Sequence, residues 1–135
     1  MLERELIQST GFSNVIENGV VTGFQFKLRM PSYRGMAASL IDGVAVHVPD
    51  SGVDVAADVP LWTLQGQTRT LAQLQSSDDL RWQLEEAAVV TVPHPGGLTP
   101  GVHHLAVELK LRMSYIPIEH QPTTYRVERK VTIVK

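Results

Sequence analysis

The sequence contains no cysteine among its 135 residues. That absence excludes a disulfide framework, a thiolate nucleophile and any zinc site built on sulfur ligands. Positive charge is not in excess either, because 14 acidic residues outnumber 12 basic ones. A chain with this balance lacks the basic surface that neutralises nucleic-acid phosphates or anionic lipids. We therefore expect no nucleic acid and no membrane as partners, and a reducing cytoplasm as the natural compartment.

Long apolar segments are missing as well. The first residues, Met1–Leu6, mix charged and apolar side chains and do not resemble a secretory signal, and no stretch has the length of a transmembrane helix. The length of the chain and its apolar content of 43% are sufficient to bury one continuous core. The sequence therefore predicts a single domain over residues 1–135.

Apolar and polar residues alternate with a period of two over several segments. The clearest segments are Leu105–Tyr115 and Val21–Met30, each with one apolar and one polar face, as in a half-buried strand. Asn18-Gly19 precedes the second segment and is typical of a type I′ turn, so Asn14–Glu17 should pair with it as a hairpin.

Turn residues separate these segments at short intervals, and helical crossovers between strands are absent from the pattern. Thr70–Gln75 alone looks helical, with Thr70 as the cap of one or two turns. Trp82 is expected to anchor the core, with Arg81 facing outward. The sequence thus predicts an all-β fold, a mainly antiparallel two-sheet β-sandwich of about eight strands with one short helical turn.

Residues that could carry catalysis are few and scattered. A metal site without sulfur would need several histidines to meet a carboxylate. The adjacent His103 and His104 stand at a strand start, where neighbours point to opposite faces and do not easily share one ion. We expect no catalytic residue and no metal ligand in this chain, and a self-contained hydrolase has the least support. The histidines are His47, His94, His103, His104 and His120.

A loop after the first long strand is the strongest candidate for binding. It carries Arg29, Tyr33, Arg34 and Gly35, and loops held by strands often bear binding residues. Arginine clamps carboxylates or stacks on rings, and tyrosine adds a flat apolar body with a polar tip. We assign these four residues to substrate binding or a partner interface; the alternative is a turn whose tyrosine plugs the end of the sandwich.

A second loop candidate is Pro93–Gly101, where Gly96 and Gly97 stand side by side. Its richness in proline and glycine indicates a turn system that joins two strands. Plain turn geometry is the simpler interpretation, and a functional loop is the alternative.

Five short segments together resemble a known family. They are Ser32–Gly35, Ser39–Ile41, Arg81-Trp82, Pro95–His103 and Leu111–Tyr115. Their pattern is similar to that of the small β subunit of C-glycoside deglycosidases, over Asn14 to about Pro117.

The resemblance implies a β-sandwich subunit that works only with a larger α subunit. That partner would be similar to sugar isomerases and epimerases, a TIM barrel with a divalent metal, manganese or magnesium, and a histidine base. The family cleaves the carbon–carbon bond between a 3-keto sugar and a flavonoid or other aromatic aglycone by β-elimination. Under this hypothesis the present chain carries no cofactor and offers a loop to a shared substrate site.

A free-standing carbohydrate-binding sandwich is the alternative function. Such modules bind sugars by stacking on exposed aromatic rings. The chain has only two tryptophans, Trp62 and Trp82, with three tyrosines and three phenylalanines. The alternation assigns several of these rings to the core, which weakens this alternative.

Overall fold

The computed structural model describes residues 2–32, 34–112, 117, 119 and 121–133, and these form a sandwich of antiparallel strands. The strands in chain order are β1 (Ser13–Glu17), β2 (Val20–Leu28), β3 (Met36–Ala37), β4 (Ile41–Val48), β5 (Val53–Val55), β6 (Leu61–Leu64), β7 (Gln67–Arg69), β8 (Arg81–Trp82), β9 (Ala88–Pro93), β10 (Gly101–Leu111) and β11 (Thr123–Ile133).

Two sheets and a small ladder account for these strands. The first sheet has the order β1-β2-β9-β6-β7, the second sheet has the order β11-β10-β4-β5, and β3 pairs with β8 alone. The predicted all-β, two-sheet sandwich is confirmed. The described residues form eleven strands where about eight were expected. β3, β5, β7 and β8 are two or three residues long and too short to show alternation.

The core lies between the inward faces of the two sheets. Phe24 and Phe26 of β2 face Leu105 and Leu109 of β10 across this layer, and all four side chains are fully buried. The strand predicted at Leu105–Tyr115 begins earlier and ends at Leu111. Its alternation runs as predicted through Leu111, whereas Met113 and Tyr115 lie outside the described residues.

Two tryptophans fill the side of the core beneath the β3–β8 ladder. Trp62 of β6 and Trp82 of β8 are fully buried, with their ring centroids 5.7 Å apart in an edge-to-face arrangement. The Trp82 Nε1 donates a hydrogen bond of 3.0 Å to the carbonyl oxygen of Glu86. The prediction that Trp82 anchors the core while Arg81 faces outward is confirmed.

The local turn and helix predictions are confirmed in detail. Asn18 and Gly19 have φ of 51° and 79°, the left-handed pair that a type I′ turn requires between β1 and β2. Thr70 caps helix α1 (Leu71–Gln75): its hydroxyl accepts from the Gln73 amide, and the Gln73 side chain accepts from the Thr70 amide. In the described part of the chain, no helix is long and apolar enough to cross a membrane.

Residues 3–9, the N-terminal arm, close one open side of the sandwich. The Gln8 amide donates to the Lys27 carbonyl at 3.0 Å and the Arg29 amide donates to the Leu6 carbonyl at 2.8 Å, so the arm extends the first sheet. From β11 in the second sheet, Arg129 donates to the Ile7 carbonyl at 2.7 Å and to the Glu3 carboxylate at 2.9 Å. The arm thereby ties the two sheets together.

Replacing Trp82 with alanine should lower the free energy of unfolding by about 3–5 kcal/mol, because a buried indole leaves a cavity. Urea unfolding followed by circular dichroism measures the effect. Arg81→Ala, on the exposed side of the same strand, is the matched control and should stay within about 0.5 kcal/mol of the parent. Equal losses in the two variants would contradict the anchoring role.

Glu3→Gln should destabilise the chain at neutral pH and lose that effect in acid. Hydrogen bonds from the Ser9 hydroxyl and amide, at 2.7 and 2.6 Å, and from Arg129 lower the pKa of Glu3 below its ordinary value of 4.5. A carboxylate with a lowered folded-state pKa stabilises above its unfolded pKa, and the contribution disappears as pH falls through the folded value.

The measurement is the stability difference between the parent and Glu3→Gln in urea from pH 7 to pH 3. Glu17→Gln, at the exposed end of β1, is the control and should have a smaller effect at neutral pH. A Glu3 effect that persists unchanged at pH 3 would contradict a stabilising role for the ionised Glu3 carboxylate.

Candidate functional site

The two predicted loops lie at opposite ends of the sandwich. In the antiparallel pair of β2 and β9, Gly23 lies opposite Pro93 and Leu28 lies opposite Ala88. The loop after β2 therefore leaves one end of the first sheet, and the turn after β9 leaves the other, about 17 Å away at 3.4 Å per residue. Arg29, Arg34 and Gly35 are at the first end, and Gly96 and Gly97 are at the second.

We call the first of these the loop end, formed by residues 29–32, 34–41, 65–66, 81–87, 111 and 112. Segments far apart in sequence meet there. Met36 and Ala37 pair with Trp82 and Arg81 in the β3–β8 ladder. The Arg112 amide, at the end of β10, donates to the Leu40 carbonyl at 2.9 Å.

The loop end therefore holds four of the five segments that carry the family resemblance. The sequence alone does not show that they meet, since at least one strand separates each segment from the next along the chain. The meeting segments are Ser32–Gly35, Ser39–Ile41, Arg81-Trp82 and the beginning of Leu111–Tyr115.

Gly35 is held at the loop end by a close backbone approach. A Cβ atom at this position would lie 2.6 Å from the Trp82 carbonyl oxygen and 3.2 Å from the Gln83 Cα. A larger residue would have to displace the backbone that follows β8. The absence of a side chain at Gly35 thus lets the candidate loop pack against residues 82–84. Leu84, beside Gly35, is 38% exposed.

Arg29 supports the base of the same loop. Its Nε donates to the Arg4 carbonyl at 2.9 Å and its Nη1 donates to the Met30 carbonyl at 2.9 Å. The guanidinium of this half-buried residue therefore joins the loop to the N-terminal arm. Arg34 is exposed further along the loop, while Tyr33 lies outside the described residues.

Turn geometry accounts for both glycines of the second loop. Gly96 and Gly97 have φ of +84° and +60°, where side chains are strained, and a Cβ on Gly97 would lie 2.3 Å from the Asn14 Oδ1. The Asn14 side chain donates to the Leu98 carbonyl and accepts from the Leu98 amide, both at 2.8 Å. This turn fastens the β1–β2 hairpin to the start of β10.

His103 is a buried histidine at the centre of a polar cluster that the sequence did not reveal. The ring is 4% exposed, and its Nε2 donates to the Thr99 carbonyl at 2.7 Å. The Nδ1 faces the Asp50 carboxylate at 2.9 Å and the Ser51 hydroxyl at 3.2 Å. A nucleophilic triad needs serine and carboxylate on opposite ring nitrogens, so this cluster instead fastens the turn after β4 to β10.

The histidines gather no ligand set in the described residues. His103 and His104 point to opposite faces of β10 as predicted, and His120 lies outside those residues. His47 meets Asp54 at 2.7 Å through Nδ1 and Glu108 at 3.8 Å through Nε2, so the two carboxylates lie on opposite sides of the ring. In the part of the chain that the structure covers, no three histidine or acidic residues converge on one point as a metal site requires.

Comparison with known proteins addresses the resemblance directly. A family model described as "C-glycoside deglycosidase beta subunit" matches residues 2–115, which include the loop end and every strand of the first sheet. The match ends before β11, the edge strand of the second sheet.

Curated relatives agree with that family. A C-glycoside deglycosidase beta subunit of Eubacterium cellulosolvens is 36% identical over 117 residues, covering 86% of this chain and 78% of the relative. A 3'-dehydrocarminate deglycosidase beta subunit of a Microbacterium species is 31% identical over 108 residues, 75% of this chain and 74% of the relative. A C-glycoside deglycosidase beta subunit of Arthrobacter globiformis is 30% identical over 94 residues, 70% of each chain. On the family match and these identities, the chain belongs to the family of C-glycoside deglycosidase β subunits.

Proposed function

We propose that this chain is the accessory β subunit of a heteromeric enzyme that cleaves the carbon–carbon bond of 3-keto C-glycosides. The names of the relatives imply an α subunit as partner. The observation that carries the proposal is the loop end, where four family-like segments from distant parts of the chain meet around Gly35 and Trp82. Binding residues are often found on loops that a scaffold of strands holds in place, as it does here.

The proposed reaction is a β-elimination. A base removes the C2 proton, which the neighbouring C3 ketone acidifies, and a C1–C2 double bond forms as the bond from C1 to the aglycone breaks. The electron pair of that bond leaves with the aglycone, which then takes up a proton, so no oxidant or reductant is consumed. The name of the Microbacterium relative specifies a 3'-dehydro substrate, which supports the requirement for an oxidised sugar.

The base and a divalent metal, manganese or magnesium, belong to the α subunit in this proposal, and the α subunit is a TIM barrel similar to sugar isomerases. The described residues of the present chain do not fit such a metal, because the His47 carboxylates diverge and both ring nitrogens of His103 are hydrogen-bonded. We therefore assign this chain no step that involves the metal.

The contribution of this chain would be to shape the mouth of the shared site. Gly35 and Arg29 position the loop from below, through the Trp82 backbone and the N-terminal arm. Arg34 is exposed on the loop, where a guanidinium could bind keto-sugar oxygens or a carboxylate of the partner. Leu84 beside Gly35 adds apolar surface to the same end.

A free-standing carbohydrate-binding module is disfavoured by the positions of the aromatic rings. Trp62 and Trp82 are fully buried, and Phe12, Phe24 and Phe26 belong to the core. None of these five rings is available to stack on a sugar.

Co-expression with the α subunit encoded in the same genome should yield a stable complex that releases the aglycone from a 3-keto C-glucoside. Size-exclusion chromatography measures assembly, and liquid chromatography measures the free aglycone. The single chains are the controls, and each should lack the activity of the complex. Full activity of the α subunit alone, or glycan binding by the isolated β chain, would overturn the proposal.

Arg34→Ala should lower kcat/KM of the complex roughly tenfold or more, because the loop loses its guanidinium at the shared site. Circular dichroism should show that the isolated variant is still folded, since Arg34 is exposed. Arg126→Ala is the matched control, a 72% exposed arginine on β11 outside the loop end, and should leave kcat/KM unchanged. Parent-like kinetics and assembly in Arg34→Ala would contradict the assignment.

A further inference from the structure

We infer that the outward face of the first sheet binds the α subunit, together with the loop end. The inference rests on the proposed function, which requires an α subunit, and goes beyond it by choosing one of two exposed sheet faces. The choice follows from a difference in charge between these faces and from their positions relative to the loop end.

The outward face of the first sheet is almost without charge. Three cross-strand rows make up most of it, and Lys27 is their single charged member; Glu17, which follows Val15 by two residues on β1, lies at the far end, away from the loop end. The rows are Val15, Gly23 and Pro93; Ser13, Gln25, Thr91 and Leu61; and Lys27, Val89, Thr63 and Thr68.

The position of Lys27 keeps the centre of this face neutral. The Lys27 stem lies over Gly11, where a Cβ atom would approach the lysine Cε to 2.7 Å. Lys27 also belongs to the row nearest the end of β2, so its ammonium group is at the rim of the face.

The outward face of the second sheet is strongly charged. His47 contacts Asp54 and Glu108, and Glu108 is 3.7 Å from Arg126. His104 is 3.2 Å from Glu128 on the neighbouring strand. Burying this network would require the desolvation of every charge in it, whereas the centres of protein interfaces are depleted of charged residues.

The neutral face also continues into the loop end. Strand β2 leads into the Arg29–Gly35 loop, β9 is entered from residues 83–87, and β6 leads into the turn at residues 65–66. A partner seated at the loop end can therefore extend along the first sheet without a break. The family model spans both surfaces, at residues 2–115.

The size of the face favours the α subunit over a second copy of this chain. Five strands about 4.8 Å apart and three rows about 7 Å apart cover roughly 500 Å². A standard stable interface buries about 800 Å² per partner, so symmetric pairing of this face alone would fall well short of that. The α subunit reaches the larger area by contacting the loop end as well.

Amine labelling of the unmodified complex tests the inference without a variant. Lys27 is on the neutral face, and Lys110 and Lys130 are on the charged face. Acetylation followed by mass spectrometry should show Lys27 reacting at least fivefold more slowly in the complex than in the free chain. The reactivity of Lys110 and Lys130 should be unchanged. Protection of Lys110 and Lys130 without Lys27 would overturn the inference.

A pair of matched variants gives the second test. Thr91→Lys and Ala106→Lys each place a lysine on the outward side of a central strand, one in each sheet. Thr91→Lys should raise the Kd for the α subunit about tenfold or more, while Ala106→Lys changes it less than twofold. Thermal unfolding of both isolated variants shows whether they are folded. If either variant is unfolded, the amine labelling of the unmodified complex decides whether the inference holds.

The outcomes separate this inference from the proposed function. If the parent chain binds the α subunit and Thr91→Lys binds equally well, the docking face is wrong and the proposed function stands. If the parent does not bind the α subunit, both are overturned. If Thr91→Lys abolishes only self-association of the isolated chain, the face is a contact between copies of this chain and the inference is wrong.

Discussion

The burial of Trp82 is the interaction on which the arrangement at the loop end depends. This side chain packs edge-to-face on Trp62, donates to the Glu86 carbonyl, and fixes the two-residue strand that pairs with β3. The Trp82 carbonyl in turn lies where any side chain at position 35 would stand. The buried indole therefore fixes the position of the candidate loop relative to the sandwich, because the loop backbone at Gly35 packs directly against the Trp82 backbone.

The rest of the fold supports that junction from two sides. The N-terminal arm joins β2 to β11 through Arg129 and holds the loop base through Arg29. At the opposite end, the His103 cluster and the Asn14–Leu98 hydrogen bonds fasten loops to strands. The polar groups in these clusters make structural hydrogen bonds, so His103 and the Gly96-Gly97 turn hold the scaffold together. Structural hydrogen bonds thus fasten the turns at one end of the sandwich, and the candidate loop lies at the other.

Local features were predictable because their causes are local. The Asn18-Gly19 turn, the Thr70 cap and the period-two strands depend on residues within a few positions of one another, and all were confirmed. The burial of Trp82 with Arg81 outward followed from the large apolar ring of one residue and the charge of the other. The predicted number of strands was too low because β3, β5, β7 and β8 are too short to show a period, and the His103 cluster was missed because Asp50 and His103 are 53 residues apart in sequence. The assignment of Arg29, Arg34 and Gly35 to binding remains a prediction.

The sequence by itself determined the fold class, the family and the individual segments that carry the family pattern. Side-chain period, turn residues and short motifs are properties of neighbouring positions, and these need no knowledge of the final packing. Only the tertiary structure decided that the two candidate loops stand at opposite ends, and that four family-like segments meet at one of them. It also decided which sheet presents a neutral face and which a charged one. The reason is that strand order and register bring distant residues together, and neither can be read from any one segment.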